Sequence, residues 1–206
     1  MQAYHACVSF IDAQIKIVLD SLKESGEWEK TIVIFTSDQS YHFGDPLLWG
    51  KVTILDIGAK VPFIVHGPGL TKAGTRSEAM VELIDIYPTL AQLTGLTPPG
   101  HLQGASLRPL LDHPERLGKK KYAYSIVTRG KEMGYALRNQ RWRYGKWSDG
   151  EELYILTNDP EEKNNLAKMD GLEHRRGEFR RVLEYVQDQA AKYCQPRRGE
   201  FFSPHS

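Results

Sequence analysis

The sequence predicts an α/β protein: a wound-sheet region over residues 1–115, then a small antiparallel α+β subdomain over residues 116–206. Three observations lead there. A helical apolar stripe in residues 3–25 runs directly into a short apolar run at residues 31–36, and a second such pair, residues 61–66 and 83–94, follows it. A stretch rich in Pro, Gly and Lys, from Thr97 to Lys121, then breaks the pattern. Beyond it come short strand-like segments at hairpin spacing and one closing helix.

In order, Val8, Ile11, Ile15, Val18 and Leu22 recur at three- and four-residue spacing and give the first helix one apolar face. Gly26 stops it. Thr31-Ile-Val-Ile-Phe-Thr36 is too short for a helix, and its β-branched residues favour a strand. It lacks alternation, so it reads as buried on both faces, as in a parallel sheet. Residues 40–58 show little periodicity and are long enough for a functional loop. Residues 61–66 form a second buried strand, closed by Gly67-Pro-Gly69. The helix over 83–94 has Asp85 as a candidate N-cap, Pro88 in its first turn and Gly95 as its stop. Residues 122–127, 134–138 and 141–147 predict an antiparallel meander, covered by a helix near 175–193 through Phe179, Leu183, Val186 and Ala190.

Composition removes several functions. With 27 basic and 26 acidic residues there is no electrostatic case for nucleic acid or a membrane surface. No apolar stretch approaches the ~20 residues that span a bilayer. The two cysteines, Cys7 and Cys194, make no disulfide framework and leave the compartment open. No leader pattern is visible, because Met1-Gln-Ala-Tyr4 enters the amphipathic helix at once.

The chemistry concentrates after the first strand, in residues 35–51. Asp38 and Gln39 sit just past its carboxyl end, where open α/β sheets bind ligands. A carboxylate beside an amide oxygen suits a hard cation. Trp49-Gly50-Lys51 brings an ammonium back toward the same edge, and metal oxygens with a fixed ammonium hold a tetrahedral anion. Plainer readings stand beside these: a polar turn in which Asp38 satisfies local N–H groups, a solvated Lys51, and a structural His42 rather than a proton donor. Arg143, Tyr144 and Trp147 either line the substrate end of a cleft or form cross-strand packing pairs.

Residues 35–51 resemble the Ser-Asp-His-Gly-Tyr-His-Leu-Gly-Glu-His-x-x-Trp-x-Lys segment of sulfatases, nearest the iduronate-2-sulfatase branch of the alkaline-phosphatase-like superfamily. Collinear likenesses follow: Lys60-Val-Pro-Phe-Ile-Val-His-Gly-Pro-Gly69, Glu82-Leu-Ile-Asp-Ile-Tyr-Pro-Thr-Leu90 and Gly104-Ala-Ser-Leu-Arg-Pro-Leu-Leu111. Gly134-Tyr-Ala-Leu-Arg138, Arg143-Tyr-Gly-Lys-Trp147, and Glu152-Leu-Tyr-Ile-Leu-Thr-Asn-Asp-Pro160 with Asn164-Asn-Leu-Ala167 complete the set.

The resemblance implies part of an alkaline-phosphatase-like wound sheet followed by the α+β subdomain. It also implies hydrolysis of a sulfate ester, on a sulfated small molecule or saccharide. Asp38 and Gln39 would be ligands of one calcium ion, Lys51 would bind the sulfate and stabilise the leaving oxygen, and His42 would touch substrate or donate a proton. Asp45 and Arg143 would contact substrate.

The remaining metal carboxylates and the formylglycine nucleophile would come from an upstream sulfatase half, so the chain reads as a fragment or truncated relative that is inactive alone. Two departures from the family pattern bear on activity: Ser40 stands where the family has Gly, and Asp45-Pro46 replaces Glu-His. Cys194-Gln-Pro-Arg-Arg198 satisfies the formylglycine motif Cys-x-Pro-x-Arg, but it follows the last helix and reads as coincidence. A phosphoryl-transfer member of the same superfamily and a non-catalytic binding or assembly module are the alternative functions.

Overall fold

A computed structural model describes residues 2–44, 48–70 and 72–193. Asp45, Pro46 and the Cys194–Arg198 motif lie outside the described residues.

The first helix, α1 (Gln2–Glu24), forms as the apolar stripe predicts, and Gly26 ends it with φ +74°. Aromatic contacts pin both of its ends. Tyr4 meets Phe43 edge-on at 4.2 Å, and Lys23 lies 5.0 Å from the Trp28 ring, which stacks on His66 at 4.3 Å. Between these points no α1 residue is buried within the chain.

The strands that follow are β1 (Val33–Thr36) and β4 (Phe63–His66), and here the parallel-sheet reading fails. They pair with each other antiparallel, Val33 opposite His66 and Phe35 opposite Ile64. The intervening chain makes the reversal. It folds into a small hairpin, β2 (His42–Phe43) with β3 (Trp49–Gly50), and a one-turn helix, α2 (Asp56–Ala59). The apolar run without alternation does signal two apolar faces. Only one of them is partly covered here, and the cross-strand pair Phe35 and Ile64 is exposed.

The predicted second helix is α3 (Ile86–Leu93), entered through a 3₁₀ turn at Leu83–Asp85 and stopped by Gly95 at φ +75°. Asp85 does not cap α3. Its buried carboxylate turns back to accept the Glu82 N–H at 2.9 Å, the Ala105 N–H at 2.8 Å and the Lys120 ammonium at 2.7 Å. Glu82 completes this knot by taking Lys120 and the Tyr124 N–H. The stretch from Thr97 to Lys121 is therefore tied down rather than loose, and it contains the short helix α4 (Arg108–Asp112).

The last part is a four-stranded antiparallel meander in chain order: β5 (Ala123–Arg129), β6 (Glu132–Arg138), β7 (Trp142–Lys146) and β8 (Glu151–Ile155). The fourth strand was not anticipated. Its signal is the alternation of Leu153 and Ile155 after the Ser148-Asp-Gly150 turn. Helix α5 (Glu173–Tyr193) covers one face, and its Phe179 and Leu183 are buried against Leu137, Tyr144 and Leu153. Tyr144 and Phe179 stack at 5.5 Å.

Two carboxylates fasten α5 to the sheet. Glu178 accepts the Tyr122 hydroxyl at 2.8 Å, and Glu151 accepts Tyr144 at 2.6 Å and the Arg180 guanidinium. The Arg180 hydrogen bonds hold the Glu151 carboxyl below its ordinary value, and the Tyr122 hydroxyl does the same for Glu178. A depressed carboxyl stabilises the fold above its unfolded pKa, and that stability is lost as pH falls through the folded value. The docking of α5 should therefore weaken below pH 4.5, the ordinary carboxyl value. In denaturant midpoints measured against pH, the double variant Glu151→Gln, Glu178→Gln should show a shallower acid dependence than wild type. Equal slopes would remove these two groups as the acid-sensitive fasteners.

Candidate functional site

The site grows from the carboxyl end of β1. Ser37-Asp38-Gln39 turns there, with the Ser37 hydroxyl donating to the Gln39 carbonyl at 2.8 Å and the Gln39 N–H donating to Asp38 Oδ1 at 2.9 Å. The local-turn reading of Asp38 is thus realised through one oxygen. The side chain itself is exposed and makes no ion pair among the described residues, so it keeps acceptor capacity.

From this turn the chain enters the β2–β3 hairpin, where His42 pairs with Gly50 and Phe43 with Trp49. Lys51 follows Gly50 directly, is exposed, and makes no ion pair among the described residues. Asp38 and Gln39 thus lead into the hairpin, and Lys51 leads out of it. Val52, next along, has φ +71°. A β-branched residue in that left-handed region is an outlier, and such outliers persist only where surroundings over-determine them.

Those surroundings are visible. The C-terminal subdomain grips residues 52–58 at three points. Arg129 donates to the Val52 carbonyl at 3.1 Å, Arg138 pairs with the Asp56 carboxylate, and Glu162 accepts the Asp56 N–H at 2.6 Å. Gly58 then packs on His42 and Thr53. A Cβ at Gly58 would run into the Thr53 hydroxyl and stand 3.2 Å from His42 Nε2. Sequence reading did not single out Asp56, Arg129, Arg138 or Glu162. Their partners lie dozens of residues away, and no local pattern marks such pairs.

Two expected site residues are not on an open surface. His42 is fully buried, with Nε2 2.6 Å from the Thr53 hydroxyl, so it supports the hairpin from inside rather than facing a substrate. Arg143 was expected at the substrate end of a cleft. It is 1% exposed, bound to Glu152 at 2.7 Å and to Glu162, and lies 4.7 Å from the Tyr154 ring. A guanidinium so enclosed serves the core. Burial pushes the Glu162 carboxyl up, with the Arg143 charge and the Asp56 N–H pulling against it. Asp45, the third expected substrate contact, lies outside the described residues.

Among the described residues no group of three or more His, Cys, Asp and Glu side chains is arranged to hold a metal ion. The oxygen donors of Asp38 and Gln39 do fit a hard cation. They supply only part of the roughly 6–8 oxygens calcium takes. No helix among the described residues is long and apolar enough to cross a membrane.

The Sulfatase family model matches residues 1–96. A sulfatase of Formosa agariphila is 38% identical over 168 residues, covering 81% of this chain and 32% of that protein. The N-acetylglucosamine-6-O-sulfatase of Bacteroides thetaiotaomicron is 29% identical, over 92% of this chain and 36% of that protein. The solved structure of BT4656 with its substrate D-glucosamine-2-N,6-O-disulfate superposes with a TM-score of 0.84 at 26% identity, over 93% of this chain and 41% of that one. The chain thus spans about a third of the length of the curated relatives it matches. These likenesses support sulfatases in general and do not single out the iduronate-2-sulfatase branch.

Proposed function

Because this chain belongs to the sulfatase family, with the alkaline-phosphatase-like fold of its structural relatives, we propose that it carries the C-terminal share of a sulfate-ester hydrolase centre. The observation that carries the reading is the hairpin. Two oxygen donors, the exposed Asp38 and the half-buried Gln39, enter it, and an ammonium with no ion pair among the described residues, Lys51, leaves it. Asp38 and Gln39 would hold one calcium ion, which when bound supplies Lewis-acid polarisation of a sulfate oxygen. Lys51 binds a second sulfate oxygen and steadies the charge that develops on the leaving alkoxide. The positive φ of Val52 and the Arg129 hydrogen bond to its carbonyl would steady the backbone next to Lys51. The nucleophile and the other metal carboxylates come from an upstream sulfatase half.

The substrate class is a sulfated carbohydrate. The name of the Bacteroides relative and the disulfated glucosamine in the BT4656 structure support that choice.

The test is complementation. The 206-residue chain alone should show no calcium-dependent turnover of 4-nitrophenyl sulfate or glucosamine 6-sulfate. Co-expression with an upstream sulfatase half should restore it. In that complex Lys51→Ala should lower kcat by about 10²–10³, the usual cost of one charge-stabilising donor, and Asp38→Ala should abolish the calcium dependence. Turnover by the isolated chain that Asp38→Ala abolishes would overturn the reading of a partial centre. Complementation without turnover would favour a non-catalytic assembly module.

A further inference from the structure

A second feature lies at the β6–β7 end of the meander. Loop 117–121 and the β6–β7 turn enclose an open groove of about 410 Å³, lined by Lys119, Lys120, Lys121, Asn139, Gln140 and Arg141 among others, with no acidic side chain among the described residues that line it. That volume is in the range of small-ligand sites. We propose that this groove is an anion-binding exosite for a strand of sulfated saccharide, distinct from the catalytic hairpin. The saccharide class rests on the sulfatase reading; the anion site does not.

The groove is built, not a scatter of mobile cations. On one wall Lys120 is consumed by Glu82 and Asp85, which nails the loop to the body and leaves its neighbours pointing elsewhere. Gly118 packs within 3.5 Å of Leu110, judged by the Cβ it lacks. On the other wall Asn139 Oδ1 accepts the Arg141 N–H at 3.0 Å and the Trp142 N–H at 2.8 Å, which fixes the turn. Gln140 Nε2 reaches the Glu78 carbonyl at 3.3 Å. Lys119 and Arg141 are exposed and make no ion pair among the described residues. Lys121 shares its charge with Glu178 at 3.2 Å. Two open cations on two rigid walls suit a ligand with at least two anionic groups.

The chemistry between them favours a sugar over a nucleic acid. Trp142 is 8% exposed, and the Arg141 and Arg175 guanidinium groups each lie 5.6 Å from its ring. Trp142, the aromatic among the described lining residues, is too buried to stack on a base. The Asn139 amide keeps its NH₂, and Gln140 keeps its carbonyl oxygen. A donor and an acceptor side by side match sugar hydroxyls.

The groove and the contact with Val52 beside Lys51 lie at opposite ends of β6. Arg129, at the β5–β6 end of the meander, touches Val52 beside Lys51. Asn139 and Arg141 stand at the opposite end of β6, a strand of 7 residues. At ~3.4 Å per residue, that is over ~20 Å along the strand. A long saccharide could be held by the groove while another of its residues is presented elsewhere.

The experiment measures fluorescence anisotropy of a labelled heparin-derived hexasaccharide with the full chain, at protein concentrations below any self-association. Three variants are compared: Lys119→Ala with Arg141→Ala, Lys16→Ala with Lys30→Ala, and Lys51→Ala. The groove variant should weaken binding about tenfold, as the loss of two exposed charge contacts of ~0.7 kcal/mol each implies. It should also flatten the salt dependence. The control pair, equal in charge removed, should leave Kd within twofold, and the groove variant should weaken binding more than Lys51→Ala does. Thermal melts of each variant separate loss of binding from loss of fold. Should the alanine pair not fold, Arg141→Gln with Lys119→Gln replaces it.

Absence of wild-type binding would overturn the exosite. Equal weakening by the groove and control variants would mean diffuse attraction and would also overturn it. Weakening by Lys51→Ala alone would relocate the anion to the hairpin. Tighter binding of a single-stranded DNA of equal charge would refute the saccharide class. Groove-dependent binding in a complemented protein without turnover would leave the exosite standing and remove the hydrolase reading.

Discussion

Glu162→Ala is expected to cost about 3–5 kcal/mol of folding stability, the penalty for removing one partner of a buried ion pair. Glu162 is 4% exposed and sits at the meeting point of the two halves of the chain. One of its oxygens takes the Arg143 guanidinium, and the other takes the Asp56 N–H at 2.6 Å. Without it Arg143 keeps only Glu152 at 2.7 Å, while its Nη1 already lacks a hydrogen-bond partner among the described residues. A guanidinium that is 1% exposed cannot turn to water for compensation. Glu162 also holds φ +55°, so the turn that presents it is itself costly and is maintained by these bonds.

The second consequence is local. Loss of the Asp56 anchor should raise hydrogen exchange at residues 56–59, and the loosening should reach Gly58, which supports His42. Denaturant unfolding with exchange measurements checks both. Replacing the pair together, Arg143→Met with Glu162→Leu, should recover much of the loss, since two apolar groups carry no stranded charge. A single-variant cost below about 1 kcal/mol would mean that water already solvates this seam.

That seam also shows where sequence reading stops. The helices α1 and α5 were legible because an apolar stripe repeats every three or four residues. Gly26 and Gly95 were legible as stops because each must adopt positive φ. Asp38, Gln39 and Lys51 stood out because their residue types crowd into one short segment after a strand. The direction of β1 against β4 was not legible. An apolar run states that both faces want cover, and it states nothing about the partner's direction. Arg143 misled for a related reason. Its sequence neighbours, Trp142 and Tyr144, read equally well as a cleft wall or a core. What decides is Glu162, 19 residues away, folded back onto it. The turn role of Asp85 was misplaced likewise, because its partners Ala105 and Lys120 lie beyond the helix it seemed to begin.

The chain alone is expected to self-associate, and to become monodisperse when an upstream sulfatase half is supplied. Phe10, Ile17 and Val18 on α1 are 63%, 62% and 66% exposed, and Ile64 on β4 is 60% exposed with Phe35 beside it. These are large apolar side chains on one helix and one strand pair, not isolated surface residues, and patches of that kind mark interfaces. Among the described residues the β1–β4 ladder is only two strands wide, so both of its outer edges offer N–H and C=O groups without a strand partner there. A two-stranded ladder is marginal by itself and needs further strands or a covering layer. The C-terminal subdomain does not provide one, since α5 spends its apolar face on its own meander. The relatives are about three times as long as this chain, and an upstream half of that kind could supply the additional strands. Sedimentation of the isolated chain should therefore show concentration-dependent species and binding of an apolar dye. Val18→Lys with Ile64→Lys should reduce both without moving the melting of the C-terminal meander, whose core does not touch these positions. A sharply melting, dye-silent monomer at tens of micromolar would contradict an uncovered face and favour an autonomous binding module.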